Sequence, residues 1–247
     1  MCKNIIDNHR GSITVKSTVG KGTAVSVSFP TFEGEVGEKA GISGAILAGG
    51  KSSRIGTDKA LLKLDGQTLI ERAVSTLRPY TGDPIIITSA SDKYKFLNLS
   101  VYSDIIANAG PLGGISTALE KSNTTHCLVL ACDLPFVSGQ LIKILCDRSL
   151  THDIVVVDAG HGVEPLCAVY SKRCLASIRK QLDSGQYRVT NFYHYVDVKV
   201  IYLEQLNKIF IPETLLNINT LEDLEKAKAL LKVRDYSHHK EGGQAGG

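Results

Sequence analysis

From residue 42 to residue 231, short apolar runs alternate with stretches whose apolar positions recur every three or four residues. Runs of strand length fall at 42–47, 84–88, 99–102, 127–131, 154–158, 166–170 and 196–202. The run at 127–131 (Cys-Leu-Val-Leu-Ala) is apolar throughout, the pattern of a strand buried on both faces. Helical spacing follows at 68–77, 113–119, 138–146, 171–182 and 220–231. Ser138 stands where an N-cap is needed, and Thr220 with Asp223 fits a capping box before the last helix. Strand and helix in this alternation predict an α/β fold: a Rossmann-like, mostly parallel sheet with helices on both faces.

Residues 1–30 follow a different period. Apolar and polar positions alternate through Ile13 and Val15 and again through 24–29, broken by Gly20-Lys21-Gly22, which predicts a short N-terminal β-hairpin fragment. Residues 31–41 carry Gly and Glu with little to bury and read as a linker; 42–233 form the main domain; 234–247 read as a polar, Gly-rich disordered tail. The His238–His239 pair falls in that tail and is read as solvated.

Composition narrows the picture. With 43% hydrophobic residues the chain can bury a core, and its net charge of +3 comes without a Lys/Arg run of five, so neither a nucleic-acid stripe nor a membrane-surface patch is expected. The N-terminus has no apolar signal-peptide region and no apolar run is long enough to span a bilayer, so a cytoplasmic protein is expected. Cys2, Cys127, Cys132, Cys146, Cys167 and Cys174 show no CxxC pair and read as reduced thiols, mostly in apolar strands. His9, His126, His152, His161 and His194 are dispersed and form no catalytic arrangement.

The chemistry concentrates where the first strand of the main domain runs into Leu47-Ala48-Gly49-Gly50, followed by Ser52, Arg54, Gly56 and Lys59. Glycines at a strand end let backbone N–H groups approach phosphate oxygens, and Arg54 and Lys59 add positive charge beside a triphosphate. The spacing fits neither a P-loop nor the GxGxxG fingerprint. Asp133 follows the most apolar strand, at the sheet edge where ligands bind in open α/β folds, and suits Mg²⁺, a hard ion content with one or two carboxylates; Cys132, a soft ligand, does not.

The segment LAGGKSSRIGTDKALL resembles the signature of nucleotidyltransferases, and within them is most similar to the molybdenum cofactor guanylyltransferases. Relatives using CTP or UTP tend to read LAAG or to end in Pro-Lys; here only Ile55 departs, standing where methionine is usual. The resemblance continues through SDIIANAGPLGGISTAL, LVLACDLPFV, VEPLCAVY and NINTLEDLEKA, to about residue 231. It implies a Mg²⁺-dependent enzyme that transfers GMP from GTP to the phosphate of molybdopterin and releases pyrophosphate, with molybdoenzyme-specific chaperones as further partners. Catalysis would fall to Arg54, Lys59 and Asp133, and nucleotide binding to Leu47, Ala48, Gly49, Gly50, Lys59, Thr88, Asp104 and Asp133, with the metal on Asp133. Thr88 stands where relatives often carry an asparagine near the nucleoside. Asp104, with the glycine segment after it, is implied to wall the guanosine pocket, and an acceptor carboxylate there suits the guanine edge or the ribose equally. Asn217 and Asn219 share one face of an extended segment and read either as site residues or, for Asn219, as a turn or cap. Arg188 and Asn191 resemble the family's acceptor side but also read as a polar loop. The rival readings are a relative using CTP or another acceptor, and a nucleotide-binding two-component signalling module.

The second of these arises from residues 4–30, which resemble the C-terminal hairpin of a sensor histidine kinase ATPase domain through His9, Gly11, the alternation at 13–17, and Gly20, Gly22 and Thr23. That family's asparagine helix and adenine loop are absent, so no ATP binding is expected. The fragment reads as a fusion remnant or as a start inside a neighbouring reading frame.

Overall fold

The computed structural model describes residues 12–18, 22–28, 39–49, 58–106, 109–206 and 212–241. In chain order the elements are β1 (Ser12–Thr18), β2 (Gly22–Ser28), β3 (Lys39–Leu47), β4 (Lys63–Leu64), β5 (Gln67–Thr68), α1 (Leu69–Thr81), β6 (Ile85–Ile87), β7 (Val101–Tyr102), α2 (Gly110–Lys121), β8 (Thr124–Ala131), α3 (Gly139–Ser149), β9 (Ile154–Asp158), β10 (Val163–Ser171), α4 (Leu175–Asp183), β11 (Val198–Tyr202) and α5 (Leu221–Glu241). The chain divides into two compact units, Met1–Glu38 and Lys39–Gly247.

In the first unit β1 and β2 form an antiparallel hairpin in register from Ser12↔Ser28 to Thr18↔Gly22. Ser17 and Thr23 share a hydroxyl hydrogen bond at 2.8 Å. Val15 and Val25, directly paired, are each 59% exposed.

The second unit is built on a seven-stranded sheet in the order β11-β9-β10-β8-β3-β6-β7. β3 pairs in parallel with β6 and β8, β6 with β7, and β9 with β11, whereas β10 runs antiparallel to both its neighbours. The short connection from β9 to β10 dictates that reversal, since a parallel return needs a long crossover. Asp158 Oδ1 closes the turn by accepting from the N–H of Gly160 (2.7 Å) and Gly162 (3.2 Å), both at positive φ. The predicted α/β sheet with helices on both faces is therefore present.

Side-chain alternation along the strands makes two cores. On one face Ile46, Leu128, Leu130, Val155 and Val157 pack against α1 and α3 through Ile70, Val74, Leu77, Leu141 and Leu145. On the other, Ala45, Leu47, Val129, Ile154 and Val156 pack against α2 and α4 through Leu112, Ile115, Ile178 and Leu182. Thr68 and Glu71 form a capping box at the start of α1, and Ser138 caps α3 by accepting from Leu141 N.

Several boundaries differ from the sequence reading, among them a helix expected from 171 that starts only at Leu175, after β10 has run on through Ser171. β3 takes in Lys39, Ala40 and Gly41, assigned to the linker; Gly41, at φ +149°, allows the register to shift between Lys39 and Ile42. α2 opens at Gly110 rather than at 113, with Pro111 in its first turn, where a missing N–H costs nothing. α5 runs through Glu241, past the expected start of the tail, because no Gly or Pro interrupts the chain before Gly242. The rest of the tail, the start of the kinase-like fragment and most of the linker lie outside the described residues.

Candidate active site

From β3 the chain steps outward through β6 to β7 and then returns to β8 on β3's other side, so strand order reverses between β3 and β8. Ligands bind at such switch points, beyond the carboxyl ends of the strands. A cleft of about 590 Å³ lies there, lined by the ends of β3 (Leu47, Ala48, Gly49), β6 (Ile87, Thr88) and β8 (Ala131, Asp133). Lys59, Asp104, the first turn of α2 and Asn219 complete it.

Lys59 and Asp133 meet in an ion pair at the cleft floor. Lys59 stands on a single 3₁₀ turn, Lys59–Leu61, and its Nζ also donates to Asn219 Oδ1 at 2.9 Å. Asn217, with its amide nitrogen turned to the carboxylate, donates to Asp133 Oδ2 at 2.7 Å and to Oδ1 at 3.3 Å. Ile218 between them points the other way, into an apolar cluster with Leu64, Leu69, Phe136, Leu224 and Ala227, and its N–H donates to Asp133's carbonyl at 2.9 Å. The extended segment 217–219 thus presents both asparagines to the Lys59–Asp133 pair, while α5 pins its apolar residue. Thr220 and Asp223 complete the predicted capping box, each N–H donating to the other's side chain (2.9 and 3.1 Å).

Asp58, the residue before Lys59, caps the same turn: its Oδ1 accepts from Ala60 N at 3.2 Å. Both its oxygens lie 3.0 Å from the Tyr94 hydroxyl, and Lys93 Nζ donates to Oδ2 at 3.1 Å. At the end of β6, Thr88 is buried; its N–H donates to Tyr102's carbonyl and its Oγ1 accepts from Ala90 N. Asp104 Oδ1 is buried without a hydrogen-bond partner among the described residues, and burial raises its carboxyl above the usual carboxylate range. Gly114 makes room for this wall, since a Cβ there would lie 2.8 Å from Leu47 Cδ2 and 3.6 Å from Asp104 Oδ1.

The structure brings together Leu47, Ala48, Gly49, Lys59, Thr88, Asp104, Asp133 and Asn219 around one cleft, with Asn217 on the Asp133 carboxylate. Gly50 and Arg54 lie outside the described residues. The N–H of Ala48 is taken by Ile87's carbonyl at 2.9 Å, so a phosphate-facing amide has to come from Gly49 onward. Arg188 and Asn191 do not line the cleft: they belong to a loop tied by Gln181, whose Nε2 donates to Arg188's carbonyl at 2.7 Å. The sequence reading gave no role to Asp58, Lys93, Tyr94 or Glu164. Asp58 alone had a signal, its place beside Lys59. Glu164 is half-buried, with a carboxyl raised by burial and further by nearby Asp133, and its Oε1 accepts from Leu166 N at 3.0 Å.

The donors here suit a hard divalent ion. Asp133 and Asn219 offer side-chain oxygens, whereas burial pushes the Cys132 thiol far up and keeps it protonated. Among the described residues no three His, Cys, Asp or Glu gather as a metal cage, so an ion here relies on substrate phosphates and water.

Residues 44–198 match the model of the MobA-like NTP transferase domain. This chain belongs to that family. It is accordingly a nucleotidyltransferase, an enzyme type that works with a divalent metal. Among its relatives, the "Probable molybdenum cofactor guanylyltransferase" of Carboxydothermus hydrogenoformans is 38% identical over 192 residues, covering 77% of this chain and 97% of that protein. The molybdenum cofactor guanylyltransferase of Desulfosudis oleivorans is 36% identical over 196 residues, covering 78% of this chain and 96% of that protein. In fold, this MobA-like transferase is similar to the molybdopterin-guanine dinucleotide biosynthesis protein A of Archaeoglobus fulgidus, with a TM-score of 0.67 at 24% identity over 77% of this chain and 98% of that one. No helix among the described residues is long and apolar enough to cross a membrane.

Proposed function

We propose that this MobA-like transferase moves GMP from GTP to the terminal phosphate of molybdopterin, releasing pyrophosphate. The observation that carries the reading is Asp133 at the end of β8, held by Lys59 and Asn217 while Asn219 holds Lys59, across one cleft from Asp104, whose Oδ1 has no hydrogen-bond partner among the described residues. The buried carboxylate oxygen of Asp104 accepts hydrogen bonds from the nucleoside, where Thr88 and Gly114 supply the wall. The triphosphate lies over Gly49 and Lys59, with Arg54 as a further cation from the loop.

The acceptor phosphate is ionised near neutral pH, so no side chain has to remove a proton. A bond forms from its oxygen to the α-phosphorus of GTP as the bond to the β-phosphate oxygen breaks, and the charge leaves on pyrophosphate. Catalysis is then alignment and neutralisation. Lys59 exchanges the Asp133 carboxylate for phosphate oxygens, while Asn217 keeps that carboxylate oriented and Asn219 holds the Lys59 ammonium. Mg²⁺, held by Asp133, would neutralise charge on the phosphates when bound. Molybdoenzyme-specific chaperones would receive the product, and the enzyme would work in the cytoplasm.

Competition binding with GTP, CTP, UTP and ATP, followed by pyrophosphate release with molybdopterin and Mg²⁺, tests the reading. GTP is expected to bind in clear preference, and Asp133→Asn to lose transfer while keeping its thermal midpoint. CTP binding as tight as GTP would move the enzyme to the cytidylyl relatives; near-normal turnover by Asp133→Asn would remove the metal assignment.

A further inference from the structure

Lys59 has a weak local foundation. Its turn is three residues long, closed by Leu61 N to Asp58's carbonyl (3.0 Å) and Leu62 N to Lys59's carbonyl (3.1 Å). A single 3₁₀ turn of this length does not hold itself in place, because its hydrogen-bond geometry is poor and a first turn fixes several dihedrals for each hydrogen bond it gains. Something outside the turn has to set where the Lys59 backbone sits.

The only described side chains bound to Asp58, the residue that opens the turn, are Tyr94 and Lys93. They differ in kind. Lys93 is half-exposed, and its ion pair is of the surface type that contributes little. Tyr94 is fully buried in the core with Ile46, Ile70, Ile86 and Val137, and its hydroxyl reaches both oxygens of Asp58. Burial, and then the Asp58 carboxylate, push the phenol well above its ordinary range, so it stays a donor at any working pH. A rigid ring locked in the core therefore holds a carboxylate, and that carboxylate caps the turn carrying Lys59.

We propose that Tyr94 is a positioning residue for nucleotidyl transfer, fixing the Lys59 ammonium through Asp58. It is not among the residues that line the cleft. Its hydroxyl converts the rigidity of the sheet core into placement of a charge on a flexible four-carbon stem. This rests on the transfer reaction proposed above, in which Lys59 neutralises phosphate charge at the moment of bond exchange.

Tyr94→Phe removes the hydroxyl and leaves the ring. The rate of transfer is expected to fall about tenfold, the scale on which small misplacements of catalytic groups act, while KM for GTP stays within about twofold of the parent. In a Lys59→Ala background the same Tyr94→Phe change is expected to cost less than about twofold, because residues acting through one group are not additive. Asp58→Asn, which weakens the acceptor end of the same link, is expected to show the same kcat-selective loss and the same silence in Lys59→Ala. An equal loss in both backgrounds, or an unchanged kcat in Tyr94→Phe and Asp58→Asn, overturns the proposal; a purely structural tyrosine gives the first result, together with a lowered thermal midpoint. Wild-type turnover with GTP and molybdopterin reports separately on the reaction itself. The variant ratios can be read with whichever nucleotide the wild type accepts.

Discussion

Asp104 shows at the scale of one residue what a site held ready for a ligand costs the empty protein. Its carboxyl is raised by burial, and one oxygen has no partner among the described residues. A carboxyl with a folded pKa above its unfolded value binds its proton more tightly in the native state. The penalty is therefore absent below the unfolded pKa, grows as pH rises through the folded pKa, and is fully present above it. Asp104→Asn is expected to raise the thermal midpoint of the nucleotide-free protein at pH 7–8, with the gap closing as pH falls through the raised folded value towards the unfolded one, while GTP binding weakens. A midpoint unchanged at every pH would show that the carboxylate is not under this strain. Asp133 was nominated by residue type and position after a strand and Asp104 by family resemblance, and both line the cleft. Tyr94 was not legible in the sequence, because its bond to Asp58 spans 36 residues and leaves no local pattern.

Among the elements, the signals that live within one turn of helix or one strand were readable: the capping box at Thr220, the cap at Ser138 and the run buried on both faces in β8. The direction of β10 was not, because apolar runs look the same in either direction; only the Asp158-Ala159-Gly160-His161-Gly162 turn distinguished them, and it is short. Helix packing on strands was equally silent. Gly44 lies in β3 where the C-terminal turn of α1 comes closest: an added Cβ would be 2.4 Å from Thr81 Oγ1 and 3.1 Å from both Thr81 Cβ and Pro84 Cβ. The two Cβ atoms are fixed to the backbone and cannot retreat unless it moves. Gly44→Ala is expected to destabilise the protein by about 1–3 kcal/mol, lowering the midpoint by several degrees in a thermal melt. KM for GTP should change little, because Gly44 is not among the residues around the cleft. A neutral substitution would mean that α1 can slide along the sheet.

At the scale of the whole molecule, every described residue of the cleft belongs to the unit Lys39–Gly247. Removing residues 1–38, with the cut placed before β3, is expected to leave GTP-dependent transfer unchanged and the thermal midpoint within a few degrees. A large loss of either would make the N-terminal hairpin an integral part of the enzyme. The division between hairpin and main domain could be read from periodicity, which switches visibly; the exact cut could not, because Lys39 joins the sheet by pairing with Thr124 across a bulge. Within the main domain the cleft draws on residues from Leu47 to Asn219, and its Lys59–Asn219 bond spans 160 positions. That span orders events on the ribosome. Asp133 and Lys59 emerge early, and the last strand of the sheet ends at Tyr202. Asn217, Asn219 and the helix that pins them are made only afterwards. A translation product broken off after Tyr202 would hold every described strand of the sheet but neither asparagine, and is expected to be inactive in transfer. Supplying the missing stretch as a separate peptide should switch such a product on.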